Sequence, residues 1–214
     1  MSRTLITICI SLLLASASYA GVIGNWEGMP NTGDGWINWS GGAAIETLPA
    51  MYSANTSWQT LGSQSVQLTK NGWAQTLSLK LEYQPGEVAD FLANTKLEFD
   101  VAIPNIGGDG GWGKIENVTL NASGWGWNAL PNSTFMFGLW AGSGTLVKHE
   151  VIDYSAALPS ITAVPGSGYI ELIFTTNNDS LNNQMLFDNV KLTPEPATMA
   201  LLGLGGLALI RRKR

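Results

Sequence analysis

Tryptophan is the residue type in this chain with the clearest chemical use. The nine tryptophans are Trp26, Trp36, Trp39, Trp58, Trp73, Trp112, Trp125, Trp127 and Trp140. A flat indole stacks on the C–H face of a sugar, so exposed tryptophan beside Asn and Asp is what a glycan site needs. Tryptophan is also highly buried on average, and most of the nine are expected in a core. Trp112, Trp125 and Trp127 are the candidates for exposure, because glycines adjoin each of them. Trp125 and Trp127 stand two apart, a spacing that on a strand sets both rings on one face.

Other reactive groups are sparse. His149 is the only histidine, which excludes a multi-His zinc site and leaves one base for a Ser-His-Asp triad. No G-x-S-x-G elbow accompanies it, and a solvent-facing strand histidine is expected. The run Gly107 to Lys114 is glycine-rich, but Ile115 follows the lysine and no helical pattern comes next, so it is not a phosphate loop. Carboxylate pairs for glycoside hydrolysis are defined by separation in space, which the sequence does not give. No catalytic residue is assigned, and the protein is expected not to be an enzyme.

The elements that must position these residues read as strands. Leu77, Leu79, Leu81 and Tyr83 alternate with Ser78, Lys80 and Glu82. Leu97, Phe99, Val101 and Ile103 alternate with Glu98, Asp100 and Ala102. Period two marks a half-buried strand in each case. Further strands are expected over 64–69, 114–121, 134–141, 145–153, 168–175 and 185–192. Turn pairs such as Asn71-Gly72, Pro104-Asn105 and Pro165-Gly166 separate them. Residues 86–94 allow one or two helical turns. Many short strands with frequent turns indicate an all-β antiparallel sandwich or barrel.

Both termini read as addresses rather than fold. Arg3, the apolar run Leu5 to Leu14 and Ser18-Tyr19-Ala20 form a signal peptide over 1–20, for signal peptidase to remove. Cys9 leaves with it, so the body contains no thiol chemistry and no disulfide. The body, 21–193, holds fifteen acids against six lysines and no arginine. A nucleic-acid partner is excluded on charge, because phosphate neutralisation needs a basic face. At the far end, Pro194-Glu195-Pro196 leads into the apolar run Ala197 to Ile210 and then Arg211-Arg212-Lys213-Arg214. As a helix that run reaches about 21 Å, short of the roughly 30 Å hydrocarbon core. It suits a transient stay in a membrane with its basic end cytoplasmic.

The 194–214 segment resembles the PEP-CTERM sorting signal of Gram-negative bacteria, with its Pro-Glu-Pro motif, short transmembrane helix and basic tail in order. The resemblance implies that the membrane is the inner one, processing by an exosortase-type transpeptidase, and display on the outer surface or in the extracellular matrix. Within the body, Asn25-Trp26-Glu27-Gly28, then Asp34-Gly35-Trp36, then 62–68, 97–101 and 186–192 resemble the strands of carbohydrate-binding-module and galactose-binding-like jelly rolls. That resemblance implies a jelly-roll β-sandwich. It also implies a structural calcium shared by an acid of the opening segment and an acid of the last strand, here Glu27 and Asp188. The expected function is a non-catalytic module that binds or organises extracellular polysaccharide. A purely structural matrix protein, or a secreted hydrolase or lyase, are the alternatives.

Overall fold

The computed structural model describes residues 21–70, 76–83, 87–105, 112–137, 144–179 and 184–194. The signal peptide, Glu195 and Pro196 of the sorting motif, and the apolar run Ala197 to Ile210 lie outside them, as does most of the Gly107 to Lys114 run. Among the described residues, no helix is long and apolar enough to cross a membrane.

The chain forms an antiparallel jelly-roll β-sandwich of two sheets. Its strands are β1 (Gly21–Gly24), β2 (Trp36–Asn38), β3 (Tyr52–Asn55), β4 (Ser65–Thr69), β5 (Leu77–Tyr83), β6 (Lys96–Asn105), β7 (Trp112–Ala122), β8 (Gly126–Ala129), β9 (Phe135–Phe137), β10 (Gly144–Asp153), β11 (Ile170–Asp179) and β12 (Gln184–Thr193). Sheet A runs β10-β6-β12-β4-β3, with β1 also on β12; sheet B runs β2-β5-β11-β7-β8, with β9 also on β7. One short helix, α1 (Val88–Leu92), falls inside the 86–94 window.

The two alternating segments take the places that their period dictates. Leu97, Phe99, Val101 and Ile103 of β6 are buried, as are Leu77 and Leu79 of β5. Between the sheets lies an aromatic centre. The Phe174 ring centroid is 5.0 Å from Phe99, 5.7 Å from Trp36 and 5.8 Å from Phe187. Tyr154 stacks on Phe91 of α1 at 4.7 Å and donates its hydroxyl to the Phe91 carbonyl at 3.0 Å, which satisfies a buried polar group. Among the described residues, members of this core run from Trp26 to Leu192.

Candidate functional site

Strand β2 starts with Trp36, fully buried, whose Nε1–H donates to the Ile23 carbonyl at 2.7 Å. Alternation then turns Ile37 outward and Asn38 inward, where Asn38 Oδ1 accepts the Tyr52 hydroxyl at 3.0 Å. Trp39 points outward again. At the other edge of sheet B, Trp127 of β8 stands opposite Asn121. Trp39 is 46% exposed and Trp127 51%. Their ring centroids lie 5.5 Å apart with an interplanar angle of 43°. Because β2 and β8 are opposite edges of one sheet, the two rings arch toward each other across its outer face.

Register orders the floor beneath them. Trp127, Asn121, Glu171 and Glu82 form one row across β8, β7, β11 and β5. Ala129, Thr119, Ile173, Lys80 and Ile37 form the next. Ile173 is 1% exposed, yet its neighbours Leu172 and Phe174 are the ones that join the sandwich core. An isoleucine buried on the outside of a sheet needs a cover; Thr119 and Lys80 flank it in register, and the Trp39–Trp127 pair belongs to the same outer face. Lys80 Nζ pairs with Glu171 at 3.2 Å and, more closely, with Glu82. Burial alone would lower the Lys80 pKa, but the two carboxylates outweigh it and hold the ammonium charged. Asn121 Nδ2 donates to the other Glu171 oxygen at 2.6 Å. The face thus offers an apolar ring platform rimmed by an amide and fixed charges.

Of the three tryptophans that sequence singles out, Trp127 alone belongs to this platform. Trp125 packs against the core and its Nε1 is buried. Gly126 lies between them with φ 77°, so the period of two that would align their rings does not hold across it. Trp112 is half-buried at the far end of β7, roughly 30 Å along the strand from Asn121. Its ring lies 6.0 Å from the Lys70 ammonium. Trp39 is the residue that sequence reasoning missed, although Gly41 and Gly42 follow it closely.

Glu27 and Asp188 meet through a third segment, the loop before β4. Glu27, exposed, accepts from Ser63 N at 2.7 Å, Ser63 Oγ at 2.6 Å and Gln64 N at 3.1 Å. The Ser63 hydroxyl, then the two amides, hold its carboxyl below the usual range. Asp188 is fully buried. It accepts from Thr60 N at 2.6 Å, Leu61 N at 2.8 Å and Asn189 N at 2.7 Å. Burial pushes its pKa up against those donors. The two carboxylates therefore clamp the loop at 60–61 and 63–64. Gly62 lies between, with φ 74°, and a Cβ there would stand 2.2 Å from Glu27 Oε1.

In this structure the donors around both carboxylates are protein N–H and O–H groups. Hard cations need oxygen lone pairs, whereas here N–H and O–H groups point at both carboxylates. The Trp26 and Met29 carbonyls, which could serve a cation, instead accept Gln64 Nε2 at 2.5 and 3.0 Å. Among the described residues, no group of three or more His, Cys, Asp or Glu stands together as a metal site.

His149, on β10, is the half-exposed strand histidine that sequence expects. Its Nδ1 meets Asp100 Oδ1 at 2.7 Å and its Nε2 lies 3.7 Å from Glu98. Asp100 stands opposite Asp188 in register, and the Thr60 hydroxyl reaches both. Burial would raise the Asp100 pKa, but hydrogen bonds from Thr60, Asn189 and His149 outweigh it and lower it.

Residues 192–214 match the PEP-CTERM protein-sorting motif. The chain ends in a PEP-CTERM sorting signal. That motif marks a secreted, cell-surface protein. No curated relative matches the sequence. Among solved structures, the body is similar to TmCBM27, a carbohydrate-binding module with specific mannan recognition, at 15% identity over 81% of this chain and 94% of that one, TM-score 0.44. It is similar to CBM28, a module specific for non-crystalline cellulose, at 15% identity over 82% and 94%, TM-score 0.46. It is also similar to the Stig cyclase Fisc from Fischerella sp. TAU, at 17% identity over 84% and 90%, TM-score 0.42. These likenesses concern strand arrangement and assign neither ligand nor activity.

Proposed function

We propose that an exosortase-type transpeptidase processes the PEP-CTERM signal, and that the body then binds extracellular polysaccharide at the outer surface or in the matrix of a Gram-negative cell. The observation that carries the binding is the exposed Trp39–Trp127 pair over a polar floor. Sugar rings stack on the indoles, while Asn121, Glu82 and Glu171 meet the hydroxyls. Neutral glycans suit a face whose charges are already paired with one another.

The module is read as non-catalytic. His149, the only histidine, has carboxylate partners on both nitrogens, and among the described residues no hydroxyl is hydrogen-bonded to it.

The test is a glycan array and a polysaccharide pull-down with residues 21–194. Trp39→Ala and Trp127→Ala are expected each to abolish binding, while Trp112→Ala retains it. A folded body that binds no polysaccharide refutes the reading and leaves a structural matrix role. Binding that survives both substitutions places the site elsewhere.

A further inference from the structure

Strand β10 is an edge of sheet A, ten residues long, and among the described residues it pairs only with β6. The other edges are short: β3 has four residues, β2 three and β8 four. Most of β10 is open to solvent. Val147 and Val151, on its outer face, are each 46% exposed. A long edge with exposed valines is a template for another strand.

The sequence of β10 says which strand fits. Reading Thr145-Leu146-Val147-Lys148-His149-Glu150-Val151-Ile152-Asp153 in both directions from His149 gives chemically matched positions. An antiparallel copy centred on His149 sets Lys148 opposite the partner's Glu150 and Val147 opposite the partner's Val151. Leu146 then meets the partner's Ile152, and Thr145 the partner's Asp153. A continuous sheet requires opposed residues to share a face, so the register can shift only in steps of two. The next registers set Lys148 opposite the partner's Lys148, or Glu150 opposite the partner's Glu150. They also set valine against histidine. Lysine on an edge ordinarily repels foreign strands. Here the same lysine meets glutamate when the incoming strand is a copy of this one in the register centred on His149.

We infer that β10 is a homodimerisation edge, joining two copies of the chain about a two-fold axis at His149 into one continuous sheet. The contact is isologous and closes on itself, so it stops at a dimer. It lies in sheet A and leaves the outer face of sheet B free.

Sedimentation of residues 21–194 across a concentration series tests this, with circular dichroism confirming the fold of every variant. The wild-type body is expected to dimerise reversibly. Lys148→Glu converts two symmetry-related attractions into repulsions and is expected to weaken the dimer by about tenfold or more. Adding Glu150→Lys to it restores the pairing with the charges exchanged. The body carries no cysteine, so His149→Cys is expected to form a disulfide dimer under mild oxidation, while Thr145→Cys does not. A wild-type body that stays monomeric at every concentration, without a cross-link at position 149, overturns the inference. So does a dimer that is indifferent to Lys148→Glu.

Discussion

Truncating Asp188 to alanine tests the account of the loop before β4. The carboxylate is fully buried and holds three backbone amides, those of Thr60, Leu61 and Asn189, at 2.6 to 2.8 Å. A hydrogen bond to a charged group contributes about 1.5–3 kcal/mol net. Against that stand the desolvation of a buried charge and the Asp100 carboxylate directly opposite. Removing the acceptor leaves buried N–H groups unsatisfied, at about 1–3 kcal/mol each. Taking about 3–4 kcal/mol, and about 2–4 °C of Tm per kcal/mol for a domain of this size, Asp188→Ala should lower Tm by roughly 10 °C. Asp188→Asn keeps one acceptor for the Thr60 and Leu61 amides and should cost far less. Both losses should be the same with and without chelator, because the donors are protein groups. Differential scanning fluorimetry in calcium and in EDTA reads all of this. If EDTA alone lowers wild-type Tm by about the loss seen in Asp188→Ala, and the variant shows no further change, then calcium holds the loop and the donor argument is wrong.

The acid behaviour of the same cluster follows from its two opposed shifts. Asp188, with its pKa raised, adds stability below the ordinary carboxylate range near 3.9, which is lost as pH rises through its folded pKa. Asp100, with its pKa lowered, adds stability above that range, which is lost as pH falls through its folded pKa. Tm should therefore rise on mild acidification and fall in stronger acid, and Asp188→Asn should flatten the rise. Gly62→Ala should cost roughly 2–3 kcal/mol, since a left-handed alanine is strained and its Cβ displaces Glu27; a Tm equal to wild type would refute that. Trp39→Ala and Trp127→Ala should each lose polysaccharide binding with only a small loss of Tm, and each should unmask Ile173 as greater binding of an apolar dye. Unchanged dye binding would mean that something other than the tryptophan pair covers Ile173.

How far the sequence reaches depends on the length over which a pattern must persist. β5 and β6 alternate over seven and ten residues, and their inward and outward sides are legible in the order of residues alone. β1, β2, β3 and β8 have three or four residues each, too few for a period of two to stand out. The candidate platform is built on two of these. Parity along one strand assigns a face, but it does not carry across Gly126, and it is silent on which edge curls over which floor. Trp39 and Trp127 are 88 positions apart and meet only because the outer face of sheet B brings its two edges together. The same limit applies to Asp188. Its place in the last strand is legible, but its donors lie 127 and 128 positions away in a loop with no strand pattern. The β10 edge is the converse case. Its palindromic chemistry is present in nine consecutive residues, but it acquires meaning only once the topology leaves that strand without a second neighbour among the described residues. Local pattern therefore specifies which side of an element faces the core, while the sites on this protein arise where short elements and edges meet.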